Sequence, residues 1–143
     1  MVNYIEGFFE KFMQKDSKIS VDTEKIKTAI HAGIPLTVTT YTLPHEMECY
    51  MQDVLVEFLN QLNQSQFVDY LTYSLDELIS NAKKANMKRA FFSQQNLNIE
   101  SNRDYEHGMQ KFKKETLKNL KYYLYMLKEK KLYVKLILQT RKN

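Results

Sequence analysis

Three glycines and two prolines are spread over 143 residues, and this scarcity of chain breakers limits the possible folds more than any other feature. Few positions can stop a helix or turn the backbone sharply, so helices are expected to be long and connections short. Hydrophobic residues make up 43% and aromatic residues 13% of the chain. That supplies enough apolar surface for a packed core and argues against a disordered segment. The length suits one domain over 1–143.

Apolar periodicity divides the chain. Residues 3–14 read as an amphipathic helix with Tyr4, Ile5, Phe8, Phe9 and Phe12 on one side, followed by a polar break over 16–20. A helix is predicted over 22–32, capped by Asp22 and closed by Gly33. Together these make 1–33 an N-terminal helical segment. The Thr, Val and Tyr content of 34–43 predicts a strand, ended by Pro44. Helices follow over 45–63 and about 66–85, with a turn at 63–65. The predicted pattern then runs through a short strand at 87–92, a polar loop at 93–103 and a helix from an Asp104 cap to about Lys130. It closes with a β-prone strand at 132–140. The order implies an α+β fold, a small mixed or antiparallel sheet with long helices on one face.

One cysteine, Cys49, rules out an internal disulfide and thiolate metal clusters. Together with the lack of a cleavable leader pattern, it points to a cytoplasmic setting. No segment reaches the ~18 apolar residues of a membrane span. Charge is uneven. From Arg103 onward there are twelve Lys/Arg against four Asp/Glu, and before it nine against thirteen. Within this basic third, lysines alternate with Tyr122, Tyr123, Tyr125 and Tyr133, a pattern that suits an acidic partner or nucleic acid. A helix face with snorkelling lysines has the same appearance.

The helix at 66–85 carries the main candidate site. Leu71, Leu75, Leu78, Ala82 and Ala85 form its apolar stripe. Glu77, Asn81 and Lys84 stand at i, i+4 and i+7, in a row roughly 110° from that stripe at ~100° per residue. A carboxylate can act as general base toward water, an amide oxygen can bind Mg²⁺, and an ammonium can neutralise phosphate. An exposed edge held by i,i+4 pairs is the more ordinary source of such a row.

The segment ELISNAKKA, Glu77 to Ala85, resembles the N-box of the GHKL ATPase superfamily, which includes gyrase B, ninety-kilodalton heat-shock chaperones, MutL and histidine kinases. Glu77, Asn81, Ala82, Lys84 and Ala85 match it in order. The run from Leu71 to Phe92 also looks like uncharacterised spirochaete-type ATPase-domain proteins. The resemblance implies a histidine-kinase-like ATPase fold with ATP and Mg²⁺ as ligands. Asn81 would be the metal ligand, Lys84 and Lys88 phosphate contacts, and Glu77 the catalytic base. The superfamily's Asp-x-Gly-x-Gly motif and glycine-rich lid are missing. The stretch 34–143 therefore reads as a core lacking the nucleotide-lid part, incompetent alone. The alternative is a non-enzymatic interaction or regulatory module with a degenerate nucleotide site. The last strand, if left as a sheet edge, would favour strand pairing or a homo-oligomer.

His45-Glu46 resembles a phosphoacceptor pair, but its place directly after Pro44 fits a helix N-terminus better. His31 and His107 have no ligand partners at metal spacing, and Cys49 shows no local sign of activation.

Overall fold

The structure, a computed structural model, describes residues 19–141. Its elements are α1 (Thr23–Ala32), β1 (Leu36–Thr40), α2 (His45–Gln61), a 3-10 turn (Ser65–Phe67), α3 (Val68–Gln94), α4 (Asn102–Lys118), α5 (Leu120–Glu129) and β2 (Val134–Leu138). The predicted helix at 3–14 lies outside the described residues.

α1 follows its end signals. The Asp22 side chain accepts from the Lys25 amide, and Gly33, at φ 67°, returns its own amide to the carbonyls of Ala29 and Ile30. This satisfies backbone groups that a helix end leaves open. The other helices end without glycine. Asn63 (φ 55°), Asn96 (φ 54°) and Lys131 (φ 54°) take the left-handed conformation instead. The amides that follow them reach back to Leu59, Phe92 and Leu127 at 2.9, 2.9 and 2.8 Å. Asparagine tolerates that backbone better than most residues, so a glycine-poor chain can still turn sharply.

β1 and β2 pair antiparallel, with Leu36 opposite Leu138, Val38 opposite Leu136 and Thr40 opposite Val134. These three pairs face the helices, while Thr37, Thr39, Lys135 and Ile137 face solvent. The fold is thus α+β, a two-stranded antiparallel sheet covered by helices on one face. Among the described residues, both outer edges of this sheet are unpaired.

Two cores form. The first joins Ile26 and Ala29 of α1, Leu36 and Val38 of β1, Met51, Val54 and Phe58 of α2, and Leu75 and Ile79 of α3. The second joins Met87, Ala90, Phe91 and Phe92 of α3 with Phe112 of α4 and Tyr123, Leu124 and Leu127 of α5. Phe91 is central to it, with rings of Phe92, Phe112 and Tyr123 at 5.8, 5.4 and 5.9 Å.

Two predicted elements are corrected. Residues 87–92 are not a strand; they continue α3, which runs unbroken for 27 residues. Met87, Ala90 and Phe91 stand at i, i+3 and i+4, so the helical register already presents them to the second core. The predicted helix from Asp104 to Lys130 is two helices. Asn119, at φ −122° and ψ 38°, separates α4 from α5. The cap of α4 is Ser101, whose hydroxyl accepts from the Asp104 amide, while the Asp104 carboxylate accepts from the Asn98 amide at 2.8 Å. No helix of the described residues is long and apolar enough to cross a membrane.

Candidate functional site

α3 positions the row predicted to carry chemistry. The helix is tied to α2 on one side. Gln52 Nε2 donates to the Thr72 carbonyl at 3.1 Å and to the Asp76 carboxylate, and Lys83 Nζ meets Glu48 Oε1 at 2.7 Å. Farther along, the buried Asn86 donates to the Tyr133 carbonyl at 3.2 Å and accepts from Arg89 at 2.9 Å, pinning α3 to the start of β2. A helix held at these points keeps its side-chain azimuths fixed.

The buried side of α3 differs from the predicted stripe. Leu75 and Ile79 are buried, whereas Leu78 is 66% exposed and Leu71 half-buried. Leu75, Ile79, Asn86 and Ala90 share one buried line, and toward the C-terminal end Met87, Phe91 and Phe92 are buried as well. At about 100° per residue, Glu77, Asn81, Lys84 and Lys88 lie roughly 180° from that line. Glu77 and Asn81 therefore occupy the solvent face rather than an edge beside the core, opposite the side that meets β2, while Lys88 at the far end of the row adjoins the second core through Tyr105. Glu77 and Asn81 are exposed, Lys84 and Lys88 half-exposed.

Among the described residues, Glu77, Asn81 and Lys84 have no hydrogen-bond or ion-pair partner. Lys88 is engaged, with Nζ donating to the Tyr105 hydroxyl at 3.3 Å and lying 5.7 Å from that ring's centre. Chemically, the row offers a carboxylate acceptor, an amide and two ammonium groups along roughly 16 Å of helix. Among the described residues, no three His, Cys, Asp or Glu converge as metal ligands. A magnesium ion at Asn81 would thus take its other oxygens from phosphate and water, a usual arrangement for this ion.

A second polar cluster was missed by sequence reading. His45 opens α2, with Nδ1 3.4 Å from Glu48 Oε2 and Nε2 3.4 Å from Cys49 Sγ. Glu48 in turn holds Lys83. The i+3 and i+4 spacing of Glu48 and Cys49 from His45 was visible in the sequence. His31 and His107 lie on α1 and α4, both exposed.

No protein-family model matches the chain, and no solved structure matches it. It is similar to an uncharacterised protein of Treponema pallidum (strain Nichols), 45% identical over 125 residues. The match covers 87% of this chain and 24% of that protein, so the chain spans about a quarter of its relative's length.

Proposed function

We propose that the chain is the magnesium-nucleotide-binding portion of a GHKL-type ATPase or histidine-kinase-like signalling protein. One observation carries the reading. Glu77, Asn81 and Lys84 stand in line and, among the described residues, without partners on one side of a helix that two cores hold in place. Asn81 would ligate Mg²⁺ through its amide oxygen. Lys84 and Lys88 would neutralise phosphate oxygens, Lys88 already being steered by Tyr105. Glu77 would orient or deprotonate the attacking water. Because the row looks away from β1 and β2, the adenine and the outer wall of the site must come from other chain segments. The matched stretch is 24% of the Treponema protein, which leaves length there for such segments.

The test is titration of Mg-ATP at millimolar concentration into the chain, followed by amide chemical shifts. Weak, magnesium-dependent shifts confined to the Glu77–Lys88 face, and lost in Asn81→Ala, are expected. Shifts that ignore magnesium or survive Asn81→Ala would sink the assignment of Asn81. The absence of shifts would favour the second reading, a non-enzymatic module with a degenerate nucleotide site. That reading draws on the orientation of the row and on the lack of an Asp-x-Gly-x-Gly motif.

A further inference from the structure

α4 buries Gly108, Phe112 and Thr116 against the second core. At about 100° per residue, the face opposite them carries Arg103, His107, Lys111, Lys114 and Lys118, within an arc of roughly 80°. The spacing is i, i+4, i+8, i+11 and i+15, which strings them along about 22 Å. All five are exposed. Among the described residues none of them has an ion-pair or hydrogen-bond partner. The acidic residues of the same helix, Asp104, Glu106 and Glu115, all project outside this arc.

Like charges one turn apart destabilise a helix by a few tenths of a kcal/mol per pair. Lys111, Lys114 and Lys118 stand one turn apart, and Glu115, one turn from two of them, forms no ion pair with either among the described residues, so their mutual repulsion is a local cost that a polyanion would remove. Immediately after the Asn119 break, α5 continues with exposed Lys121, Tyr122, Tyr125 and Lys128. Tyr122 is 44% exposed, and its ring is propped edge-on by the buried Tyr123 at 5.3 Å. A ring held in place before binding loses little freedom when a base stacks on it.

We propose that the outer face of α4, with Tyr122 and Tyr125 of α5 at its end, is a binding surface for single-stranded nucleic acid. The stripe follows the phosphates and the tyrosines take the bases. An anionic membrane fits less well. Interfacial helices insert a free apolar face, and the apolar face of α4 is already consumed by Phe92 and Phe91 packing against it. An acidic protein would use the lysines but has no need of the two exposed aromatic rings that follow them in the chain.

The test is fluorescence anisotropy of a labelled oligothymidylate and an oligouridylate with the 143-residue chain, across a salt series. Inorganic polyphosphate and phosphatidylserine vesicles serve as competitors. Tight binding at low salt is expected. Lys111→Ala/Lys114→Ala/Lys118→Ala should lower the slope of log K against log salt by about 2, since each phosphate contact on a single strand contributes about 0.7. Tyr122→Ala should weaken oligonucleotide binding about fivefold or more while leaving polyphosphate binding unchanged. The substituted side chains are exposed, and unchanged thermal unfolding of each variant checks that it is folded. Absence of binding at low salt overturns the proposal. So does an equal effect of Tyr122→Ala on polyphosphate, or vesicles outcompeting the oligonucleotide.

Discussion

Gly108 lies in the middle of α4 with ordinary helical backbone, so its conformational freedom is not what the position needs. Replacing it by alanine would raise helix propensity by about 1 kcal/mol if nothing else changed. The structure reverses that expectation. A Cβ built at Gly108 would sit 2.5 Å from Cζ and 2.8 Å from Cε1 of Phe92, and 3.1 Å from Cδ1 of Leu97. Carbon atoms prefer about 3.5–4.0 Å, so the Phe92 ring would have to move by roughly 1 Å. It has little room to do so, being 2% exposed, stacked on Tyr105 at 5.8 Å and edge-on to Phe91 at 5.8 Å. Overpacking of this kind costs about 1–3 kcal/mol. With two ring atoms under 3 Å the upper part of that range applies, so Gly108→Ala is expected to lose about 2 kcal/mol net. For a domain of this size that lowers the melting temperature by roughly 6 °C. Urea unfolding of the wild type, Gly108→Ala, Phe92→Leu and the double variant completes a cycle. The double variant should be more stable than the two single losses summed, by about 1 kcal/mol or more. If Gly108→Ala proves as stable as the wild type, or more so, the close approach of α4 to Phe92 is wrong.

Lys83→Met removes one partner of an ion pair whose side chains are 10% and 19% exposed. Stability should fall by about 2 kcal/mol, less than for a fully buried pair because Glu48 keeps some water; a loss under about 0.5 kcal/mol in urea titration would remove this contact from the account. Burial raises the Tyr123 hydroxyl above its ordinary pKa of 10.0. The folded state then holds that proton longer than the unfolded state, so this contribution is complete below pH 10 and is lost as pH rises through the folded value. The alkaline fall in stability should be shallower in Tyr123→Phe, which also gives up the hydrogen bond to Gln94; parallel curves would contradict it. The open edges of β1 and β2 are proposed to pair with a second copy at high concentration, and Ile137→Lys on the solvent face should weaken that association. A constant monomer mass by light scattering over a wide concentration range would refute the pairing.

Local signals were legible in this sequence where the deciding physics is local. Asp22 and Gly33 bracket α1 because a cap acts within a few residues. The β-branched run Leu36–Thr40 and the run Val134–Leu138 form strands as predicted, and their alternation sets which side meets the helices. The failures share a different cause. Met87–Phe92 is a short apolar run, and such runs suit a strand or a buried helix equally until the surrounding partners are known. Phe112, Tyr123 and Leu127 decide it, all from elements distant in sequence. The azimuth of the Glu77 row depended on which of Leu78 and Ile79 is buried, and α2 chooses Ile79. The role of Gly108 was not legible, since it comes from a ring sixteen residues earlier. The Cys49 cluster needed only attention to i+3 and i+4 spacing from His45.

α3 contributes Leu75 and Ile79 to one core and Met87, Ala90 and Phe91 to the other, and at about 1.5 Å per residue it is roughly 40 Å long. The two cores thus share one rod, with Asn81 and Lys84 at its waist. The amides between Ile79 and Ala90 should be the slowest in the molecule to exchange with solvent, because freeing them requires both cores to open together.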